Sequence, residues 1–301
     1  MDKFQAFGKS VTGAFTPFAA RTQQFVAEKL GTAEEKTELP PDYIELEKRV
    51  DALKLVHQKL LQVTSQYSNE AYDYPPNIRE SFNDLGRTIT EKVHLLSTAS
   101  SPAEAQAAFT APPSAKPQPK TFSHAIARAS LAGSQVLQQS DVRGSGADDS
   151  LSEALEKYAI ASEKVGEARL QQDQQIQQRF LAGWSATLNT NLKAAERARR
   201  KVEQARLALD ATKANEPPLT EEQQREIERA EDEFVNQTEE AVGVMKNVLD
   251  TPEPLRNLAE LIAAQLEFHK RAQEILSELA PVVDQLQVDQ ESNYRKSREG
   301  A

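Results

Sequence analysis

The feature that most limits the fold of this chain is a long segment without proline, between Pro119 and Pro217. Proline removes a backbone hydrogen bond and clashes with the preceding turn, so its absence permits a long helix. Within this segment mostly apolar side chains recur every three or four residues, the period of one helix face, with a polar stretch between Val165 and Ile176. The recurring positions are Leu151, Leu155, Tyr158, Ser162, Val165, Ile176, Phe180, Trp184, Leu188, Leu192, Ala195, Ala198, Val202, Ala205 and Leu209. An unbroken helix over 150–215 would be about 98 Å long, which predicts an elongated coiled coil or bundle.

Two further segments carry the same helical period, one on each side of the proline-free segment. In the first, 42–70, the seam consists of Tyr43, Leu46, Val50, Leu53, His57, Leu60, Thr64 and Tyr67. In the second, 220–286, it consists of Ile227, Phe234, Ala241, Met245, Val248, Leu255, Leu258, Ile262, Leu266, His269, Ala272, Ile275, Leu279, Val282 and Leu286. No segment alternates like a β-strand. The sequence predicts an all-α fold, an elongated antiparallel three-helix coiled coil whose helices cannot bury their stripes alone.

Polar residues predict where the long helices begin. Ser150 with Glu153, and Thr220 with Gln223, fit the capping box, in which two side chains bond free amides of the first turn. Thr251 precedes a proline, and proline is favoured at the first position of a helix. We therefore expect helices to start at each of these three places.

The chain divides by composition into three parts. They are an amphipathic N-terminal segment at 1–38, a helical domain at 39–287 and a polar tail at 288–301. Within the helical domain, shorter helices are predicted near 78–97 and 121–139. The loop between them, 98–120, is rich in proline, alanine and serine and has no core of its own.

Composition argues against several classes of protein. The chain has no cysteine, so disulfides and thiolate chemistry are excluded, and a reducing cytosolic location fits. No apolar run approaches the roughly 18 residues of a membrane span, and the N-terminus lacks the unbroken apolar core of a secretory signal. A net charge of −10 argues against nucleic-acid binding.

The first thirty residues are unusually rich in phenylalanine. Drawn as a helix, they present one apolar face with a basic flank, formed by Phe4, Phe7, Val11, Phe15 and Phe18 and by Lys3 and Lys9. Large aromatic side chains beside basic ones are typical of helices that lie in a membrane interface. Gly8 and Gly13 weaken such a helix in water by about 1 kcal/mol each, so we expect it to fold on a lipid surface. The alternative is that it packs on the protein's own core.

A second candidate for membrane contact lies at the end of the proline-free segment. Residues 193–213 carry seven basic and three acidic side chains, a net charge of +4. The candidate membrane-binding residues are Arg197, Arg199, Arg200, Lys201 and Arg206. Each basic group near an anionic leaflet contributes about 1 kcal/mol. Residues 216–233 carry a net charge of −6, so the two segments could instead pair with each other.

No arrangement of residues points to catalysis. The four histidines are His57, His94, His124 and His269, and none has a metal-ligand partner at helical spacing. His57 and His269 fall on apolar seams, which favours roles in a core or an interface. The sequence therefore predicts a protein that is not an enzyme, with no cofactor and no metal site.

Several motifs resemble the fungal Golgi vesicle protein family of BAR-domain proteins. They are Val26-Ala27-Glu28-Lys29-Leu30-Gly31, Leu39-Pro40, Tyr43-Ile44-Glu45-Leu46-Glu47, Val50-Asp51 and Tyr72-Asp73-Tyr74-Pro75. The segment 261–276 is similar to the last helix of endophilin-type N-BAR domains, and 151–180 resembles the start of their second long helix. Their order and spacing agree over about residues 1–287.

The resemblance implies a crescent-shaped homodimer of six helices whose amphipathic N-terminal helix inserts into membrane. It also implies a peripheral protein of the cytoplasm that acts on Golgi, secretory-vesicle or endosomal membranes. Leu266, Phe268 and His269 are the candidates for the dimer interface. The expected function is to sense or generate membrane curvature, with anionic phospholipid, a second copy and vesicle-trafficking proteins as partners. The alternative is a coiled-coil adaptor or tether that binds proteins without inserting into lipid.

Overall fold

The computed structural model describes most of the helical domain. The described residues are 36–75, 93–99, 120–140, 150–214 and 218–299. Of these residues, 90% are helical and none lies in a strand. The predicted all-α fold is therefore confirmed.

The helices follow the predicted order along the chain. Helix α1 is Pro41–Thr64, followed by a 3-10 turn at Ser65–Ser68, and a further helical stretch lies at 93–98. Helix α2 is Phe122–Ser140, α4 is Glu221–Asp250 and α5 is Glu253–Glu299. Helix α3 lies between α2 and α4 and consists of the consecutive segments Ser150–Gln175, Ile176–Leu181, Ala182–Thr187, Leu188–Leu192 and Lys193–Lys213. Helix α5 runs beyond the predicted seam, through residues that the sequence pattern assigned to a polar tail. Side-chain contacts four residues apart support it there, such as Gln285 to Asp289 at 3.0 Å and Arg295 to Glu291 at 3.2 Å.

One of the two predicted capping boxes is formed. The Thr220 hydroxyl accepts a hydrogen bond from the Gln223 amide at 3.2 Å, and the Gln223 side chain accepts one from the Thr220 amide at 2.8 Å. Helix α3 does begin at Ser150, but the Ser150 hydroxyl has no hydrogen-bond partner among the described residues. Glu153 instead pairs with Lys157 at 3.3 Å. The prediction of a capping box at Ser150 was wrong, although the helix start was right.

Helix α3 contains two π-helical segments, Ile176–Leu181 and Leu188–Leu192. They lie where the predicted seam advances in steps of four residues rather than alternating three and four. On an ideal α-helix each four-residue step turns the side chain about 40° past its predecessor. The wider turn of a π-helix offsets this drift. Four of the five seam residues in this region are buried, namely Ile176, Phe180, Trp184 and Leu192.

The contacts within the chain define two compact units. Unit 1 comprises Met1–Leu61 and Gly183–Pro254. Its core is formed by three helices, α1, the end of α3, and α4. The buried apolar residues are Tyr43, Leu46, Val50, Leu192, Ala195, Ala198, Val202, Ala205, Leu209, Phe234, Ala241, Met245 and Val248. All of them lie on the seams that the sequence predicts, so each amphipathic stripe in this unit is covered by the other two helices.

A stacked pair of rings packs within unit 1. The Trp184 and His57 rings lie 4.1 Å apart at an angle of 18°, and the Trp184 indole donates a hydrogen bond to the His57 carbonyl at 3.0 Å. The His57 Nδ1 lies 3.0 Å from the Leu53 carbonyl, whereas its Nε2 has no partner among the described residues. The predicted role of His57 in the core is confirmed, since its side chain is fully buried.

His57 should make stability depend on pH. Burial lowers its pKa below the usual 6.5, against the smaller opposing effect of the Leu53 carbonyl. Neutral His57 therefore contributes fully to the free energy of unfolding when the pH is above the pKa that His57 has in the unfolded state. This contribution is lost as the pH falls through the lower pKa that His57 has in the folded state. The variant His57→Phe keeps a ring against Trp184 but cannot take up a proton. Its stability relative to wild type should rise on acidification, by at most about 1.4 kcal/mol per pH unit.

Denaturant unfolding of both proteins between about pH 7 and pH 5 measures this difference. The comparison cancels the other titrating groups. Asp173, for example, acts in the opposite sense, because burial raises its pKa to about 6. Parallel pH profiles for the two proteins would show that His57 does not titrate in this range.

Unit 2 comprises Gln62–Ala182 and Leu255–Ala301. Here α2 packs on the first part of α3, and the small core consists of Val93, Ala127, Leu131 and Ala159. Helix α5 lies beside residues 168–179 of α3, where Gln175 donates a hydrogen bond to Glu267 at 3.0 Å. The Arg179 guanidinium lies 3.5 Å from the Glu260 carboxylate on the same side. The contacts between α5 and α3 in this unit therefore include polar side chains that are partly exposed.

Candidate functional surfaces

The predicted N-terminal membrane helix lies outside the described residues. Its members are Lys3, Phe4, Phe7, Lys9, Val11, Phe15 and Phe18. The alternative, that this segment packs on the protein's own core, is likewise outside what the structure describes. Both remain predictions from the sequence.

The basic residues predicted for membrane contact do not share one environment. Arg199 faces α1, where its guanidinium lies 2.7 Å from Glu47 and 2.6 Å from Asp51. Arg206 is 1% exposed and pairs with Glu203 at 2.9 Å and with Asp210 at 3.0 Å. Both side chains therefore pair with acids of unit 1 and are not available to bind a membrane.

Four of the five other basic residues of 193–213 form an exposed row on α3, which we call the basic stripe. Its members are Lys193, Arg197, Arg200 and Lys201. The Arg200 and Lys201 side chains are 71% and 54% exposed, although they contact Glu196 at 2.6 Å and Glu240 at 3.1 Å. Within the described part of the chain, Arg197 has no ion-pair partner. The basic stripe is therefore the part of the predicted surface that is open to a ligand.

The acidic start of α4 pairs only partly with the basic residues of α3. Lys213 lies 2.9 Å from Glu231, and Lys201 reaches Glu240 further along α4. The predicted alternative, mutual pairing of the two segments, is thus seen only between Lys213 and Glu231 among the described residues, because Glu240 lies outside the acidic segment 216–233. Elsewhere the partners of the basic residues lie on α1 or on α3 itself.

Helix α5 carries an exposed row of apolar residues, which we call the apolar stripe. Its members are Leu255, Leu258, Ile262 and Leu266, whose exposure ranges from 37% for Leu258 to 74% for Leu255. Leu266, a predicted interface residue, is 67% exposed. His269 is also exposed, whereas Phe268 is half-buried and lines a groove with Gln171 and Gln175 of α3. The three predicted interface residues therefore do not lie on one face of α5.

Two residues of the α3 seam are also exposed in a single chain. Leu151 is 61% exposed and Tyr158 is 38% exposed, although the sequence pattern places both on the buried face. Exposed apolar rows of this kind on a helical protein mark surfaces that another molecule covers. The single chain therefore leaves part of its predicted seams uncovered.

Unit 2 also contains a cluster of imidazoles and carboxylates that sequence spacing did not reveal. The Glu163 carboxylate lies 3.6 Å from His94 Nδ1 and 3.8 Å from His124 Nε2. The His124 Nε2 lies 3.3 Å from the Glu167 carboxylate. Burial raises the pKa of Glu163 against the opposing effects of His124, His94 and Arg128, while the hydrogen bond with His124 lowers that of Glu167.

Of the four residues, the pair Glu163 and Glu167 is adjacent on one helix face, four residues apart on α3. The two histidines come from the helical stretch 93–98 and from α2. Such a cluster depends on the packing of three separate segments, which one helical period cannot predict.

None of the described helices combines the length and apolar character that a bilayer span requires. The description of the matching family model is "Bin/amphiphysin/Rvs domain for vesicular trafficking", and it covers residues 14–285. The chain is 32% identical over 284 residues to Protein GVP36 of Saccharomyces cerevisiae, which spans 92% of this chain and 86% of that protein.

Two other relatives agree with this match. The Meiotically up-regulated gene 64 protein of Schizosaccharomyces pombe is 30% identical over 298 residues, 91% of this chain and 99% of that protein. Endophilin-A2 of Gallus gallus is 26% identical over 261 residues, 86% of this chain and 62% of that protein. The chain therefore belongs to the Bin/amphiphysin/Rvs (BAR) domain family, in the fungal branch that includes Protein GVP36.

Proposed function

We propose that this protein is a homodimeric, peripheral membrane protein that senses or generates curvature on Golgi, vesicle or endosomal membranes, with no catalytic role. The observation that carries the proposal is the family match across residues 14–285, because it covers nearly all of the helical domain. The apolar stripe on α5 supports a second copy as partner, since a row of four exposed apolar side chains is seldom left in water.

The basic stripe supports an anionic lipid surface as the ligand. Arg197, Arg200 and Lys201 are exposed on α3 of a protein whose overall charge is −10. A protein with net negative charge does not attract an anionic surface from a distance. A local row of positive charge can still bind such a surface at short range. At about 1 kcal/mol for each basic group, the stripe alone gives modest binding. The predicted N-terminal aromatic face would add the apolar part of the affinity.

Vesicle co-sedimentation, followed by electron microscopy of the same vesicles, tests the proposal. We expect the protein to bind vesicles that contain phosphatidylserine and to convert them into tubules. The rival function, a coiled-coil adaptor without lipid contact, predicts a soluble protein at every lipid composition. Failure to bind small and large anionic vesicles at low salt would favour that rival.

Neutralising the basic stripe should weaken membrane binding through charge alone. The variant Arg197→Ala, Arg200→Ala, Lys201→Ala should bind phosphatidylserine vesicles about 100-fold more weakly, since three groups contribute about 1 kcal/mol each. Its binding should also depend less on salt, because screening acts on exposed charges. Titration of vesicles at two ionic strengths measures both effects.

The matched control removes the same charge from α4. Arg225, Arg229 and Lys246 are also exposed, so their replacement by alanine changes the net charge equally at another surface of unit 1. We expect binding close to wild type. Equal losses in the two variants would show that net charge matters, and that the basic stripe has no special role.

A further inference from the structure

We propose that unit 2 contains a zinc site formed by His94 Nδ1, His124 Nε2 and the carboxylates of Glu163 and Glu167. The site is independent of the membrane surfaces proposed above. It joins three parts of the chain, since His94 lies in the helical stretch 93–98, His124 in α2, and both glutamates in α3. No residue of the basic stripe or the apolar stripe takes part in it.

The distances between the ligand atoms suit a small tetrahedral ion. Zinc binds imidazole nitrogen and carboxylate oxygen at about 2.0–2.2 Å, so neighbouring ligand atoms of a tetrahedron lie roughly 3.3–3.6 Å apart. The nitrogen–oxygen distances in this cluster are 3.3 Å, 3.6 Å and 3.8 Å. The ligand atoms of His94, Glu163 and Glu167 all lie within 4.8 Å of one another. His124 Nε2 lies near the same two carboxylates, so rotation of the half-exposed His94 and Glu167 side chains would bring the four ligand atoms around one ion.

The buried carboxylate of Glu163 is the group in this cluster that a bound cation would stabilise most. Its side chain is 0% exposed, and neither carboxylate oxygen has a hydrogen-bond partner among the described residues. A buried carboxylate without hydrogen bonds is costly, and such groups in folded proteins pair with a charge or bind a metal. The imidazoles at 3.6 Å and 3.8 Å are too distant for hydrogen bonds but are placed as fellow ligands.

His124 is held in the orientation that a ligand requires. Its Nδ1 lies 2.6 Å from the Thr121 hydroxyl, which also accepts a hydrogen bond from the His124 amide at 3.2 Å. When Nδ1 donates to this hydroxyl, the lone pair of Nε2 points toward the two carboxylates. Metal-binding histidines usually have their second nitrogen fixed by such a partner.

Gly166 leaves the space that brings His124 close to α3. A Cβ atom at this position would lie 2.5 Å from His124 Nδ1 and 2.8 Å from its Nε2, closer than real contacts allow. Any larger residue at position 166 would displace the imidazole. Glycine at position 166 therefore allows His124 to approach Glu163 and Glu167, which lie beside Gly166 on α3.

The ligand types favour zinc over the other common divalent ions. Imidazole nitrogen suits zinc, whereas magnesium and calcium prefer oxygen ligands only. Four protein ligands and no open position are typical of a structural site rather than a catalytic one. Bound zinc would fasten the stretch 93–98 and α2 to α3, and so stabilise this part of unit 2.

Titration of the chelator-treated full chain with zinc tests the site. We expect one zinc ion per chain by calorimetry, a rise in melting temperature with zinc, and no comparable rise with magnesium. His94→Ala and Glu167→Gln should each weaken zinc binding by at least about 10–100-fold. Both side chains are about half exposed, at 52% and 46%, so both variants should fold.

Glu153→Gln is the matched control for Glu167→Gln. It lies on the same helix, its side chain is 55% exposed, and it pairs with Lys157 at 3.3 Å rather than with the cluster, so zinc affinity should stay at the wild-type value. The proposal is overturned if wild type binds no zinc. It is equally overturned if zinc binds but His94→Ala and Glu167→Gln leave the affinity unchanged.

Discussion

Replacing Ile262 and Leu266 together by glutamate should convert the proposed dimer into a monomer. In a single chain these side chains are 55% and 67% exposed, and they lie four residues apart on one face of α5. Each large apolar side chain contributes about 1.5–3 kcal/mol when it is buried, and each copy of the chain supplies both. The dissociation constant of the dimer should therefore rise at least about 1,000-fold.

Analytical ultracentrifugation at micromolar concentration measures the change in oligomeric state. Val235→Glu is the matched control, because Val235 is 52% exposed on α4 and lies among acidic residues rather than on an apolar row. This variant should remain a dimer. A wild-type protein that sediments as a monomer, or a double variant that stays dimeric, would contradict the assignment of the apolar stripe to a dimer interface.

The long helices could be predicted because helix formation follows from a local pattern. The seam residues of the end of α3, such as Val202 and Leu209, are buried at the positions that the helical period predicts. The capping box at Thr220 is equally local, since its two partners are three residues apart. In each case the physical cause lies within a few turns of one helix.

The partners of charged residues could not be predicted in the same way. Arg199 and Arg200 are neighbours in sequence, yet Arg199 binds acids of α1 while Arg200 extends into solvent. A rotation of 100° per residue separates adjacent side chains, so a basic cluster in the sequence spreads over several faces. Arg206 shows the consequence most clearly, because its guanidinium is buried between Glu203 and Asp210.

The cluster around Glu163 was missed for a related reason. Its histidines belong to segments that are distant in sequence and meet only when α2 packs on α3. The signal that could have been used is Gly166, a glycine within a strongly helical segment, where it costs about 1 kcal/mol relative to alanine. A glycine retained at such a cost indicates a close approach by another part of the chain.

The variant Phe7→Glu with Phe15→Glu should abolish the formation of tubules and strongly weaken vesicle binding. Burying a phenylalanine contributes roughly 1.5–3 kcal/mol, so the four on the predicted aromatic face would supply several kcal/mol to insertion even after the cost of ordering the helix. Two glutamates remove half of this contribution and place charge in an apolar layer. Electron microscopy of vesicles and co-sedimentation measure the two effects.

The same pair of proteins separates membrane insertion from packing on the protein's own core. If the segment folds only on lipid, wild type should gain helix on adding small vesicles, the variant should not, and their melting temperatures should agree. Packing on the core predicts the reverse, a lower melting temperature for the variant and no gain of helix with lipid.

The control Gln5→Glu with Thr16→Glu adds the same charge away from the aromatic face of the predicted helix. It should tubulate vesicles like wild type, because insertion depends on which face carries the charge and not only on how much there is.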